Sequence, residues 1–250
     1  MINMSTLYGH DDYQNALNSF NISRCKWSSF TEVQMKVSKN KCPICECALD
    51  NSINRPSKKG NTTIKATVDH YRPQDLYAFL ECDHKNYLLM CSECNNIYKG
   101  SDFPLHSSTP KRAIDEEKLV NEKPLIVNPI YDDLLELFIL VFRRTSSGKN
   151  VLELKPKETA GYLYEKALET IKLFGLGDCE TNRHNNVNVY NCRIRVLEGH
   201  FGIFYEFVKA LKEGNRQKAS LELRVHKENF ETYGFYEFIK QNQFKIQGIF

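Results

Sequence analysis

Two C-x-x-C knuckles, Cys42-Pro43-Ile44-Cys45 and Cys91-Ser92-Glu93-Cys94, supply four thiols. Four thiolates in paired knuckles suit the closed tetrahedral shell of a structural Zn²⁺. Between them lies Val68-Asp69-His70, and Asn95 follows the last cysteine directly. A zinc site alone would only pin a small module together; the Asp-His pair inside it adds groups that can do chemistry. Hydrolysis of a phosphodiester needs a base for the attacking water and a cation for the charge on the phosphate and leaving oxygen. Histidine titrates near neutrality and suits the first task, which makes His70 the candidate base. Carboxylate and amide oxygens suit a hard cation such as Mg²⁺. Asp69 and Asn95 are therefore the candidate ligands, with Asn96 offering the same amide one residue on. Arg72 and Lys99 lie close in sequence to these groups and are candidate phosphate contacts.

These side chains need elements to hold them. On a regular strand Asp69 and His70 face opposite sides, so a bend ahead of Pro73 is expected to bring both to one cleft. Residues 62–68 alternate enough for a strand, and 87–90 form a short apolar strand entering the second knuckle. A helix is expected from Asn95, ended early by Gly100. Ahead of the knuckles, residues 13–39 read as two helical pieces with Trp27, Phe30, Val33 and Val37 on a packing face. Residues 111–123 read as a linker or exposed helix, and 124–129 as a short buried strand. Residues 137–144 and 151–155 flank the turn signal Thr145-Ser146-Ser147-Gly148, which predicts a hairpin. Beyond it Leu163, Ala167, Ile171 and Phe174 form a helical stripe stopped by Gly175 or Gly177. A further helix over 189–211 and an amphipathic segment with Leu221, Val225 and Phe230 complete the chain.

The 250 residues are 41% hydrophobic and 12% aromatic, which supports a folded core and excludes a disordered chain. A net charge of +3 is uninformative as a global figure. Its distribution says more: residues 51–68 carry Arg55, Lys58, Lys59 and Lys65 without an acidic residue, which favours a phosphate-rich partner. No signal peptide is evident at the start, and no stretch approaches the roughly 20 apolar residues that cross a bilayer. The expected location is the cytoplasm, with no membrane partner. Thiols stay reduced there, so the nine cysteines are expected as metal ligands and buried residues and not as a disulfide framework. Cys25, Cys179 and Cys192 read as core, while Cys47 and Cys82 lie close enough to the knuckles to be alternative ligands. His84 reads as part of a solvated turn, His106 as a loop residue, and His184, His200 and His226 as core or surface. No G-x-x-x-x-G-K-[ST] loop is present, so any nucleotide hydrolysis must come from a partner.

The order Cys42-x-x-Cys45, Asp69-His70, Asn86, Cys91-x-x-Cys94, Asn95, Lys99 resembles the HNH, or ββα-metal, nucleases. The resemblance implies an α+β fold: a helical segment at 1–40, a zinc-stapled ββα-metal module at 41–110, and a hairpin with a mostly helical half at 111–250. It implies that His70 is the general base, that Asp69 and Asn95 hold a catalytic Mg²⁺ or Mn²⁺, and that Asn86 orients the loop carrying the histidine. The usual last histidine of the motif is an asparagine in this chain. A narrower likeness runs through Val68-Asp69-His70-Tyr71-Arg72-Pro73, Asn86-Tyr87-Leu88-Leu89-Met90-Cys91 and Asn95-Asn96-Ile97-Tyr98-Lys99-Gly100. It continues through Leu125-Ile126-Val127-Asn128-Pro129 and Ala167-Leu168-Glu169-Thr170-Ile171. Together these are similar to the HNH nuclease subunit of Septu-type antiphage systems, including those attached to retrons. That likeness implies an SMC/ABC-like ATPase partner and a DNA or RNA substrate. Two rival readings are a zinc-ribbon nucleic-acid-binding module without catalysis and an adaptor whose helical half docks a larger ATPase.

Overall fold

In the computed structural model, the described residues are 1–20, 25–49, 54–57, 60–144, 148, 150–176, 204–225, 234, 237–238, 241 and 244–247. The predicted helices at 189–203, together with Cys179, Cys192, His184, His200, His226 and Phe230, lie outside them. The chain is a mixed α+β protein with small sheets. Helices α1 (Asp11–Ser19) and α2 (Thr31–Val37) come first, with a 3-10 turn at Trp27–Phe30 leading into the second. The basic stretch is not a plain loop: β1 (Asn54–Ser57) and β2 (Gly60–Thr63) pair antiparallel, so the strand expected at 62–68 is split in two.

The next pair positions the candidate site. Strands β3 (Ala66–His70) and β4 (Tyr87–Cys91) run antiparallel, with Ala66 opposite Cys91, Asp69 opposite Leu88 and His70 opposite Tyr87. A two-stranded sheet is marginal by itself and has two open edges. Side chains satisfy both its edge and its end. From α2, buried Gln34 accepts from the Leu89 N–H at 2.6 Å and donates to the Tyr87 carbonyl at 3.3 Å, occupying the outer edge of β4. Beyond the last pair, Tyr71 N–H donates to the Asn86 carbonyl at 2.7 Å. The Asn86 side chain then brackets Arg72, accepting from its N–H at 2.8 Å and donating to its carbonyl at 3.0 Å. A single π-turn, Cys94–Lys99, follows β4 and stops at Gly100, whose φ of 49° is a conformation side chains disfavour.

Residues 124–129 are buried as predicted, but they are no strand. Their amides find side chains in place of a ladder: Val127 N–H donates to Thr170 Oγ1 at 2.9 Å, and Tyr71 O–H donates to the Ile126 carbonyl at 2.6 Å. Helix α3 (Leu134–Leu137) leads into the expected hairpin, β5 (Phe138–Arg144) with β6 (Asn150–Pro156). Strand β7 (Phe244–Gln247) joins β5 in parallel, a strand where the sequence reads helical. Helix α4 (Gly161–Phe174) buries Ala167, Ile171 and Phe174 and ends at Gly175, which has a left-handed φ of 63°. Leu163 of the predicted stripe is exposed. Helix α5 spans 204–212 and buries Phe204 and Val208, whereas α6 (Arg216–Val225) turns Leu221 and Val225 outward. Among the described residues no helix is long and apolar enough to cross a membrane.

The segment at 111–123 is more than a linker, because it delivers Glu122 to the interior. The Glu122 carboxylate, fully shielded, accepts from Arg72 Nε at 3.0 Å, and from Tyr77 O–H and Ala113 N–H at 2.8 Å each. Arg112 donates to Tyr77 Oη and to the Phe103 carbonyl, closing the network. Removing one partner of a buried pair leaves a charge without compensation. Glu122→Ala should therefore cost about 3 kcal/mol of unfolding free energy, read as a lower urea midpoint at unchanged slope; a midpoint like that of the native protein would show the network to be dispensable.

Candidate functional site

The Cys42, Cys45, Cys91 and Cys94 thiols are buried, and their sulfurs all lie within 4.8 Å of one another. Cys42 Sγ is 3.6 Å from Cys94 Sγ, and Cys45 Sγ is 3.7 Å from Cys91 Sγ. A tetrahedral shell with metal–sulfur bonds of about 2.3 Å separates its sulfurs by about 3.8 Å, so the cluster could hold a metal ion such as zinc. Local backbone supports it: Cys91 N–H donates to Cys42 Sγ and Cys94 N–H to Cys91 Sγ, each at 3.3 Å. Burial pushes the Cys42 thiol well above its ordinary value. The neighbouring thiols hold Cys45 and Cys91 well below theirs, so the cluster favours a mix of charged and neutral sulfurs that a cation could share. Cys47 is buried alongside but is not among the four converging ligands, and the neighbouring Cys42 holds its thiol high, hence neutral.

Strand register then decides which candidate groups meet. The ladder passes through Asp69 and His70 without the expected bend, because pairing continues from His70–Tyr87 to Tyr71–Asn86. The two side chains consequently leave β3 on opposite sides. Asp69 shares its face with Thr67, on the side covered by the π-turn. Asn95 Nδ2 donates to Thr67 Oγ1 at 3.2 Å, which puts Asn95 and Asp69 on the same face; Asn96 is exposed to solvent. Asp69 Oδ2 lies 2.7 Å from Lys99 Nζ, an ion pair without a well-directed hydrogen bond. Burial raises the Asp69 carboxyl, and Lys99 opposes that rise.

His70 sits on the other face, with its ring 5.3 Å from Tyr87 and 6.1 Å from Trp27, edge to face in both cases. Its Nε2 is 2.9 Å from the Glu81 carbonyl, which also accepts from Tyr87 O–H at 2.8 Å. A carbonyl only accepts, so in neutral His70 the proton resides on Nε2 and Nδ1 keeps its lone pair. Asn86 holds the backbone two residues beyond the histidine through its paired bonds to Arg72.

Both basic candidates are paired within the protein. The Lys99 side chain is 0% exposed, with its ammonium donating to the His70 carbonyl at 2.9 Å while pairing with Asp69. Arg72 is 18% exposed at its side chain, paired with Glu122 and lying against the Tyr71, Tyr77 and Phe103 rings. Each cation neutralises a buried carboxylate, which a chain cannot leave unpaired. His84 is likewise not solvated. It bonds Tyr13 Oη at 2.6 Å, stacks on Phe30, and burial lowers its pKa. Cys25 and Cys82 are neither core nor ligand; they form a disulfide. Sequence reading missed Thr67, Glu81 and Trp27 at the site. Thr67 was findable, lying two residues before Asp69 on a strand, but no local signal marks Trp27 or the Glu81 carbonyl.

The oxygen donors fit a hard divalent cation in kind. Asp69 Oδ2 is buried and poorly satisfied, and Asn95, bonded through its nitrogen, keeps its amide oxygen available for a ligand. The Lys99 ammonium already neutralises that carboxylate, so a cation there would share it or displace Lys99. Comparison with protein-family models, with curated proteins and with solved structures gave no match for this chain. The thiol cluster can be tested without reference to any relative. Cys91→Ser should lower the bound zinc well below one equivalent and unfold the 41–110 module, followed by metal analysis and circular dichroism; a folded variant with undiminished zinc would remove the cluster from the account.

Proposed function

We propose that this chain is a metal-dependent HNH-type endonuclease hydrolysing phosphodiester bonds of DNA or RNA. One observation carries the reading. A hairpin and π-turn held by four thiols present Asp69 and Asn95 on one face, with His70, locked in its Nδ1-basic form, at the strand end. Zn²⁺ is the proposed occupant of the thiol cluster, because its preference for closed tetrahedral thiolate shells matches the sulfur spacing. Asp69 and Asn95 are the proposed holders of Mg²⁺ or Mn²⁺. When bound, that ion supplies charge stabilisation for the phosphate and leaving oxygen.

The chain's own groups account for the remaining steps. His70 Nδ1 takes the proton of the attacking water while Nε2–H stays bonded to the Glu81 carbonyl, which fixes the ring and steadies the imidazolium that forms. In-line displacement at phosphorus sets the attacking and leaving oxygens on opposite sides. His70 and the Asp69–Asn95 pair lie on opposite faces of β3, so one phosphate reaches both only around the strand end. Asn86 keeps the strand end in register through Arg72. Cleavage on this scheme leaves 5′-phosphate and 3′-hydroxyl ends. An ATPase partner belongs to the same proposal through the likeness to the Septu-type nuclease subunit, and the outward Leu221 and Val225 of α6 offer apolar surface for a protein contact.

Plasmid DNA and total RNA, incubated with zinc-loaded protein and Mg²⁺, Mn²⁺ or EDTA, test the reading. Metal-dependent cutting should fall by about a hundredfold in His70→Ala with zinc content unchanged. A His70→Ala protein as fast as the native one removes the base assignment, and tight binding without cutting in any metal favours the non-catalytic zinc-ribbon reading.

A further inference from the structure

Cys25 and Cys82 are separated by 57 residues, yet their Cα atoms lie 4.8 Å apart and the two are joined as a disulfide. That spacing lies within the normal range for the bond. What the bond joins is informative. Two residues beyond Cys25 is Trp27, whose ring meets His70 at 6.1 Å and whose N–H donates to the Cys25 carbonyl at 2.8 Å. One residue before Cys82 is Glu81, whose carbonyl holds His70 Nε2 at 2.9 Å. Trp27 from the 3-10 turn before α2 and Glu81 from the β3–β4 connection, which both meet the imidazole, are thus attached, within two residues, to the two ends of one sulfur–sulfur bond.

Other features point to a reversible bond. The four cluster thiols are buried, while Cys25 and Cys82 are each half-buried, so a small oxidant or thiol reaches the pair more readily than the cluster. Cys25 holds a left-handed backbone, φ 43°, which a residue with a side chain keeps only where its surroundings impose it. Trp27, the residue over His70, is 44% exposed.

We propose that Cys25 and Cys82 are a redox-modification site that sets the order of His70, the bond clamping the Trp27 and Glu81 segments around the imidazole and its reduction releasing them. The assignment of His70 as the reacting group rests on the function proposed above; the clamp itself does not. Oxidation proceeds as one thiolate attacks a peroxide to give a sulfenic acid and hydroxide. The second thiol then displaces water from it, so two thiols and one peroxide yield one disulfide and two waters. A dithiol reductant reverses the change by exchange, leaving as its own disulfide.

The test uses the full zinc-loaded chain and does not depend on cutting. Samples held in dithiothreitol or in dilute peroxide are alkylated and digested to read the Cys25–Cys82 linkage by mass. The same samples are treated with diethyl pyrocarbonate to read the modification rate of His70 from its peptide. Peroxide should produce the linked peptide, and reduction should speed His70 modification by about threefold or more, as expected for release of a local clamp. Cys82→Ser should modify at the reduced rate whether or not peroxide is present. Absence of the linkage, or equal His70 rates in the two native states, would overturn the proposal. Zinc loss in step with the rate change would assign the effect to the cluster and overturn it as well. A protein that shows the redox-dependent rate but cuts no nucleic acid would keep the clamp and discard the nuclease reading.

Discussion

Four sulfurs drawn from two segments far apart in sequence converge on a space that a single cation could fill, and the rest of the candidate site is arranged around that cluster. Cys91 is the last residue of β4 and stands opposite Ala66, so the cluster fixes one end of the β3–β4 pair. The side-chain period of a strand is two, and a slip of one residue would exchange the faces of Asp69 and His70. Cys94 opens the π-turn that carries Asn95 and Lys99 against the Asp69 face. Register, facing and helix placement therefore descend from the same four thiols. A cation held among them would join the two knuckles in the way that small metal modules do.

The hairpin that the cluster anchors is too small to satisfy its own polar groups, and neighbouring side chains complete it. Gln34 serves the open edge of β4, Asn86 closes the strand end, and Thr170 and Tyr71 serve the buried segment at 124–129. Glu122 gathers Arg72, Tyr77 and the Ala113 amide into one buried node. These contacts join the N-terminal helices, the hairpin and α4 into a continuous core that extends to Phe238. They also give each of the site's cations a carboxylate partner within the protein. Lys99 and Arg72 stabilise carboxylates that the low-polarity interior would otherwise penalise.

Local patterning carried much of the architecture. The second knuckle strand, the turn ended by Gly100, the β5–β6 hairpin and the α4 stripe with its Gly175 stop were all legible, because each rests on periodicity or on a residue with a special backbone. The four thiols were legible for a different reason: their spacing is itself the ligand geometry. What sequence could not show was which long-range partner each polar residue takes. Lys99 looks like a surface cation until Asp69 is placed beneath it, and Glu122 sits in a charged run that hides its burial. Cys25 and Cys82 gave no spacing signal at all, since only the folded chain brings them together. The straight passage of β3 through Asp69 and His70, where a bend was expected, depends on the Asn86 contacts beyond the strand and was equally hidden.

The central claim is that Asp69 and Asn95 form a divalent-cation site on the hairpin that the thiol cluster holds in register. Titration of zinc-loaded protein with Mn²⁺, followed by the loss of the free-ion electron paramagnetic resonance signal, tests it most directly. The account predicts one bound Mn²⁺ per chain in the native protein, with binding abolished in Asp69→Ala while the zinc content stays the same. Native protein that leaves all the Mn²⁺ free, or an Asp69→Ala variant that binds it equally well, would contradict the account.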